Sequence, residues 1–264
     1  MKNLKEKISQ GKENQNLNHC IIITKQNLYK LLFLILSIRI SVKMNSKIYR
    51  QGTYKDLAQV IEQDKSRLSP MGETVSLIHP AYKGFLSFLP FGGKAQIRNV
   101  MRNNFFYAFT DVHNFPKDMT FYHDFYQLKD RLSNPTQKEL EDMLGSREEK
   151  GVVFSDDGLL RMVKGRYKVG ELNKGELSSH PNIIGQAGSL KSAYELEEIS
   201  SAHKLNPHLL LLRDVKEPIT TCSALLSYWV LGTSRLDVDG YSHGLDRYGC
   251  AFGVQDAPKG RAEN

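Results

Sequence analysis

The chain has 264 residues, of which 40% are hydrophobic and 25% charged, a balance typical of a globular protein. Its net charge of +7 suggests a nucleic-acid ligand, but the distribution of charge argues against one. Residues 1–43 contain eight Lys/Arg and two Asp/Glu, which leaves 28 basic and 27 acidic side chains in the other 221 residues. We therefore expect no basic face on the folded part, and a small-molecule or protein partner rather than a nucleic acid.

The leader, residues 1–43, contains an apolar run of eight residues, Leu31 to Ile38. A bilayer-spanning helix needs about 20 apolar residues, so this run is too short to span. Three interpretations remain open: a peripheral membrane anchor formed by residues 28–42, an ordinary buried segment, or a leader outside the native protein, whose translation then starts at Met44. In each case residues 44–264 are expected to form a single domain.

The three cysteines, Cys20, Cys222 and Cys250, are odd in number and widely spaced. They predict no disulfide framework and favour a reducing compartment, so we expect a cytoplasmic protein. A membrane-associated protein is the alternative if the leader acts as an anchor. No sequence motif identifies a cofactor, so the cofactor is unknown.

The first half of the folded part is expected to mix helices with one strong strand. Thr53 and Asp56 form a capping pair that predicts a helix from Thr53 to Leu68. Loops are expected over 69–93, a short helix over 95–103, and an aromatic strand over 105–112. Apolar spacing then predicts a helix from Thr120 to Leu132, and Asn134–Pro135 precedes another that ends near Gly145.

The second half is expected to begin with a small antiparallel meander over 152–172, with turns at Asp157–Gly158 and Lys164–Gly165. A β-α-β-α unit follows: a short strand over 182–185, a helix opened by Ser192 and Glu195, a buried strand over 208–215, and a helix from Pro218 to Gly232. These elements together predict an α/β or α+β fold with a mixed sheet and several helices.

One candidate site is an anion-binding loop at Gly185, Gly188, Ser189 and Lys191. If a strand leads through these glycines into a helix, exposed amides at the helix start attract a phosphate or a carboxylate. The spacing matches neither the Walker A loop nor the dinucleotide-binding fingerprint. The competing interpretation is that the glycines only turn the chain.

A second candidate lies in the polar stretch that contains Asp237, Asp239 and His243. If Gly240 took the sharp-turn position of an EF-hand loop, Arg235 would occupy the first ligand position, which excludes a calcium loop of that kind. A transition-metal or catalytic site from the two aspartates and the histidine remains open, and the metal is unknown. The competing interpretation is a hairpin turn at Asp239–Gly240.

A third candidate is Asp111 with His113, which follow the aromatic strand where α/β proteins often carry active-site groups. The pair has residue types suited to acid–base chemistry. Cys222 and Cys250 are interpreted as core residues, because a catalytic thiol needs a nearby histidine that the sequence does not identify.

Three hypotheses about function follow. The first is a small hydrolase or transferase that uses Asp111, His113, Asp237, Asp239 and His243. The second is a non-catalytic module that binds a protein or a ligand. The third is a peripheral membrane protein held by residues 28–42. A structure separates the first two by showing whether the polar side chains converge.

Overall fold

The computed structural model describes residues 46–83, 93–230, 233–242 and 248–255. These residues belong to one unit, Asn45–Asn264. The described strands are β1 Ser46–Gly52, β2 Arg67–Leu68, β3 Phe105–Phe115, β4 Met119–Asp124, β5 Arg147–Glu149, β6 Val152–Phe154, β7 Leu160–Lys164, β8 Gly170–Glu171, β9 Asn206–Leu210, β10 Ile219–Val230, β11 Thr233–Ser242 and β12 Gly249–Val254.

The described residues also form six α-helices. They are α1 Tyr54–Gln63, α2 Met71–Ile78, α3 Gly93–Asn103, α4 Gln137–Asp142, α5 Pro181–Ala187 and α6 Leu190–Ala202. Short 3₁₀ helices cover His79–Ala81 and Leu128–Asp130.

The strands form a mixed sheet with the order β5-β6-β7-β4-β3-β10-β11-β9-β8, and β12 joins it beside β1, β2 and β3. The long strand β10 pairs antiparallel with both β3 and β11. Two pairs are parallel, β9 with β11 and β12 with β3. This arrangement confirms the expected mixed sheet with several helices.

Strand β3 changes partners halfway along its length. Its first half pairs with β12, and its second half pairs with β4. Between the halves the register against β10 shifts, since Ser223 faces Ala108 whereas Cys222 faces Asp111. The extra residues form a bulge, a device that bends a strand and redirects its side chains. As a result, Asp111 and the residues after it form a separate stretch of sheet.

The sheet buries apolar side chains on both faces. On one face, the helices α2, α3, α5 and α6 pack with Val112, Leu225 and Val238 into the largest core. On the other face, α1 packs with Tyr107 and Phe109, and α4 with the residues around it covers a smaller cluster. The central strands therefore have no solvent-facing side over much of their length.

Several expected elements are confirmed. The pair Thr53 and Asp56 forms a capping box at the start of α1. Phe105–Phe115 is a strand, α3 and α4 lie where helices were expected, and β6 with β7 forms the antiparallel hairpin of the expected meander. Gly158 has the positive φ of 75° that the predicted turn requires.

Four expected elements are wrong. Thr120–Leu132 contains strand β4, and Pro218 precedes strand β10 instead of a helix. Both strands are buried on two faces, so they show no alternation, and their aromatic or apolar spacing also matches a helix. Residues 182–185 lie in helix α5, where Pro181 takes the first helical position. The loop expected over 69–93 contains α2.

The order of the C-terminal elements is corrected accordingly. The β-α-β-α unit does not form, because its first strand, expected over 182–185, is helix α5; strand β9 instead pairs parallel with β11. The predicted strand over 208–215 begins at Asn206 and ends at Leu210. The leader, residues 1–43, lies outside the described residues. Within the residues that are described, the longest apolar helices are too short to cross a bilayer.

Candidate functional site

Asp111 and His113 lie on one face of β3, because side chains two residues apart in a strand point the same way. The neighbouring strands add polar partners on that face. His123 of β4 is the cross-strand partner of Asp111, and Thr220 of β10 is the partner of His113. Sequence-distant polar groups are thus brought together near the end of β3.

The Asp111 carboxylate is fully buried and already has two partners. It accepts a hydrogen bond from Arg131 Nε at 2.7 Å and another from the Tyr54 hydroxyl at 3.2 Å. The Arg131 guanidinium also lies 5.5 Å from the centre of the Tyr54 ring. Burial raises the pKa of Asp111 to about 6, and the nearby Arg131 charge opposes that rise. Asp111 therefore ties β3 to α1 and to the segment before α4.

His113 is 1% exposed and pairs with the Thr220 hydroxyl, since its Nδ1 lies 2.9 Å from Thr220 Oγ1. Burial lowers the pKa of His113 to about 3, and the charges of His123 and Arg131 act in the same direction. The imidazole is therefore neutral at physiological pH. Its Nε2 is buried without a hydrogen-bond partner among the described residues.

A cleft of about 480 Å³ opens beside this pair. Three stretches line it: residues 113–116 at the end of β3, residues 134–137 at the start of α4, and residues 218–220 at the start of β10. Its wall at α4 is fixed by a second capping box, in which Thr136 and Glu139 exchange hydrogen bonds. The cleft is thus bounded by a helix start on one side and two strand ends on the other.

Asn114 follows His113 in β3, so its side chain points to the opposite face of the sheet from His113. The side chain is 2% exposed, and its Oδ1 accepts a long hydrogen bond of 3.5 Å from Thr120. Its Nδ2 is buried and has no partner within the part of the chain that the structure describes. A buried donor without an acceptor costs about 1–3 kcal/mol, so a ligand or a water that satisfies it is stabilised.

Asp237 and Asp239 do not join the His113 cleft. Both lie within strand β11, so the hairpin turn expected at Asp239–Gly240 is wrong. The Asp237 carboxylate is 2% exposed and forms an ion pair with Arg235, with 2.6 Å between Arg235 Nε and Oδ1. Asp239 accepts a hydrogen bond from the Tyr241 amide at 2.7 Å. His243 lies outside the described residues.

The residues of the expected anion-binding loop have local structural roles. The strand-to-helix geometry on which that site depended is wrong, because Gly185 lies inside α5. A Cβ on Gly185 would lie 2.7 Å from the Tyr122 ring, so this glycine permits close packing. Gly188 ends α5 in the left-handed region with φ 79°.

The other two residues of that loop belong to α6. The Ser189 hydroxyl accepts a hydrogen bond from the Ser192 amide and so caps the helix. It is therefore Ser189, and not the expected Ser192, that opens α6. The Lys191 side chain is exposed and lies 3.9 Å from Glu195. One of the amides proposed to bind an anion is thus already satisfied within the protein.

No group of three or more His, Cys, Asp or Glu side chains is arranged to hold a metal ion in residues 46–83, 93–230, 233–242 and 248–255. Cys222 and Cys250 are both buried and neither forms a disulfide within the described residues, as expected for core cysteines. Burial raises the pKa of the Cys250 thiol, which disfavours the thiolate.

Three residues of the site were not predicted from the sequence: Asn114, Arg131 and Thr220. Arg131 and Thr220 fell in or beside helices that do not exist, so their neighbours could not be inferred. The usable signal was the β-branched run Ile219-Thr220-Thr221, which favours a strand over a helix.

No family model and no curated protein matches the chain. Among solved structures, the chain is similar to one described as "Accommodation of massive sequence variation in Nanoarchaeota by the C-type lectin fold". The similarity covers 81% of this chain and 99% of that chain, with 14% sequence identity and a TM-score of 0.51. At that identity the likeness bears on the fold alone, and it indicates that this chain has a C-type lectin fold.

Proposed function

We propose that the described unit is a non-catalytic binding module and that the cleft beside His113 is its ligand site. The cleft carries this proposal. Its volume of about 480 Å³ lies within the range of about 300–1,000 Å³ that small-molecule sites occupy. It combines apolar walls with a few polar groups, and the His113 Nε2 among them is buried without a hydrogen-bond partner in the part of the chain that the structure describes. The fold adds no functional argument of its own, since one fold hosts many functions.

The partners of the carboxylates favour binding over catalysis. Asp111 is held by Arg131, Asp237 by Arg235, and Asp239 by a backbone amide. A general base must be within reach of a substrate proton, and a carboxylate buried in an ion pair is not. A hydrolase or transferase that uses Asp111 and His113 stays the alternative hypothesis, and it requires Arg131 to move away from Asp111.

The test is a fragment screen on the ¹⁵N-labelled full-length chain, read by amide chemical shifts. The fragments are small amides, alcohols, carboxylates and amines. We expect binding fragments to shift the amides of His113, Thr136 and Thr220, which line the cleft. Binding that maps elsewhere, or no binding by any fragment, contradicts the proposal.

Two variants of α4 sharpen this test. Gln137 lines the cleft and is half-buried, whereas its neighbour Lys138 is exposed and does not line it. Gln137→Trp should fill the cleft and remove fragment binding, and Lys138→Trp should leave it unchanged. Conversion of a bound ester or amide fragment into product, lost in Asp111→Asn, would instead support the enzyme hypothesis.

We also propose that the protein works in a reducing compartment such as the cytoplasm. The support is that neither Cys222 nor Cys250 forms a disulfide within the described residues, as is usual where glutathione keeps cysteines reduced. That residues 44–264 form a single domain is a separate proposal, supported by the compact unit Asn45–Asn264. Limited proteolysis of the full-length chain tests it, because early cleavage within residues 44–264 contradicts it.

A further inference from the structure

The lining of the cleft has no formal charge. Residues 113–116, 134–137 and 218–220 include no Asp, Glu, Lys or Arg. The one titratable side chain among them is His113, which burial keeps neutral at physiological pH. A charged ligand group that entered the cleft would lose water and find no opposite charge among the lining residues, which is unfavourable.

Three of the eleven residues that line the cleft contribute no backbone donor. Pro116, Pro135 and Pro218 line it, and proline has no backbone N–H group. Anion sites built from backbone need several N–H groups that point at the same ligand. The three proline rings, together with Phe115 and Ile219, instead offer apolar contact surface.

The polar contacts are few and specific. Thr220 is half-buried and lines the cleft, and its hydroxyl oxygen lies 2.9 Å from Nδ1 of the neutral His113 imidazole. When this hydroxyl donates to Nδ1, its remaining lone pairs accept from a ligand N–H group. In that tautomer the His113 Nε2 carries the ring proton and is a buried donor without a hydrogen-bond partner among the described residues, so a ligand acceptor would satisfy it. The cleft thus matches one donor and one acceptor on the same ligand.

On the basis of the proposed function, we infer that the cleft binds an uncharged amide with an apolar substituent, as found in an uncharged peptide segment. An amide carries one N–H donor and one C=O acceptor in a rigid plane. A polyol matches less well, since most of its hydroxyl groups would be buried against proline, Phe115 or Ile219 without a partner. A carboxylate or an ammonium group matches least well.

The test uses four probes of similar size on the full-length chain: N-acetyl-leucine N-methylamide, N-acetyl-leucine, leucine N-methylamide and sorbitol. They present a neutral diamide, a carboxylate, an ammonium group and a polyol. Binding is measured at pH 7 from the amide shifts of the cleft residues. We expect the diamide to bind with a Kd on the order of 1 mM, as is usual for a ligand of about 13 heavy atoms. The other three probes should bind at least about tenfold more weakly.

Two variants test the Thr220 contact. Thr220→Val replaces the hydroxyl with a methyl group of similar size and should weaken diamide binding by about threefold to tenfold, the effect of one hydrogen bond. Thr220→Ser keeps the hydroxyl and should retain the affinity. Equal binding by the valine variant contradicts the assigned contact.

The outcomes separate this inference from the proposed function. If no probe shifts the cleft residues, the proposed ligand site is wrong. If the carboxylate, the ammonium compound or sorbitol binds at those residues as tightly as the diamide, the site stands and the inferred ligand class is wrong. Selectivity for the diamide, lost in Thr220→Val and kept in Thr220→Ser, supports both.

Discussion

Arg161 offers the sharpest test of how this fold is held together. The side chain is fully buried in β7 and forms a two-pronged ion pair with Asp124, at 2.6 Å and 2.9 Å. Its other donors reach the Gly185 carbonyl of α5 and the Leu159 carbonyl, each at 2.9 Å. One guanidinium thus joins β4, β7 and α5.

The cost of removing this group follows from what it leaves behind. Arg161→Met strands a carboxylate that is only 9% exposed, and breaking a buried ion pair in this way costs about 3–5 kcal/mol. Arg161→Lys keeps the charge but not the fork, so at least one buried carbonyl loses its donor at about 1–3 kcal/mol. In the Arg161→Met/Asp124→Asn double variant, the neutral amide needs no counter-charge. The loss of Arg161 should therefore cost less in the Asp124→Asn background than in the wild type.

Urea unfolding, followed by circular dichroism, measures these free energies for five proteins: wild type, Arg161→Lys, Arg161→Met, Asp124→Asn and the Arg161→Met/Asp124→Asn double variant. We expect the order wild type, Arg161→Lys, Arg161→Met in decreasing stability, and a favourable coupling energy of more than about 1 kcal/mol between Arg161 and Asp124. A loss below about 1 kcal/mol for Arg161→Met would refute the reasoning, because a stranded buried carboxylate cannot be so well tolerated.

Three further predictions concern the predicted site residues. Gly185→Ala places a Cβ 2.7 Å from the Tyr122 ring, and this overpacking should destabilise the protein by about 1–3 kcal/mol. The better helix propensity of alanine offsets about 1 kcal/mol of that loss, and the net effect should be a lower Tm. Ser189→Ala removes the cap of α6 and should lower the free energy of unfolding in urea by about 1 kcal/mol. Added phosphate should stabilise the wild type and the variant equally. A larger stabilisation of the wild type would support an anion site. Because the pKa of His113 is about 3 in the folded protein and about 6.5 in the unfolded chain, the unfolded state binds the proton first as pH falls. The contribution of the neutral His113 to the free energy of unfolding should thus be fully present above pH 6.5 and fall by up to about 2 kcal/mol by pH 5. His113→Asn should reduce this dependence of stability on pH. Equal slopes in the two proteins contradict the prediction.

The elements that the sequence predicted correctly have local chemical signals. The Thr53–Asp56 capping box starts α1, and Gly158 supplies the positive φ of the turn before β7. Each signal acts within a few residues, so it can be recognised without knowledge of the tertiary structure. The aromatic run of β3 is long enough to indicate a strand by composition alone.

The elements that were wrong depend on burial, which the local pattern does not show. In β4 all six residues are buried, so inward and outward positions cannot be told apart. Phe121 and Phe125 are four residues apart, which matches a helix as well as it matches a strand that is buried on both sides. In β11 the alternation of Leu236 and Val238 with two aspartates was readable, but the Asp239–Gly240 pair dominated the interpretation.

The candidate site shows the same limit at longer range. Its central hydrogen bond joins His113 to a residue 107 positions later, and only the register between β3 and β10 makes them neighbours. A sequence pattern can identify His113 as a candidate polar residue after a strand, but it cannot show that Thr220 is its hydrogen-bond partner. Nor can it show that Arg131 reaches back to Asp111 and pairs with that carboxylate. The same ion pair that argues against catalysis anchors the segment before α4, whose first residues form the wall of the cleft. We therefore expect the proposed binding at this cleft to depend on the Asp111–Arg131 pair as a structural support.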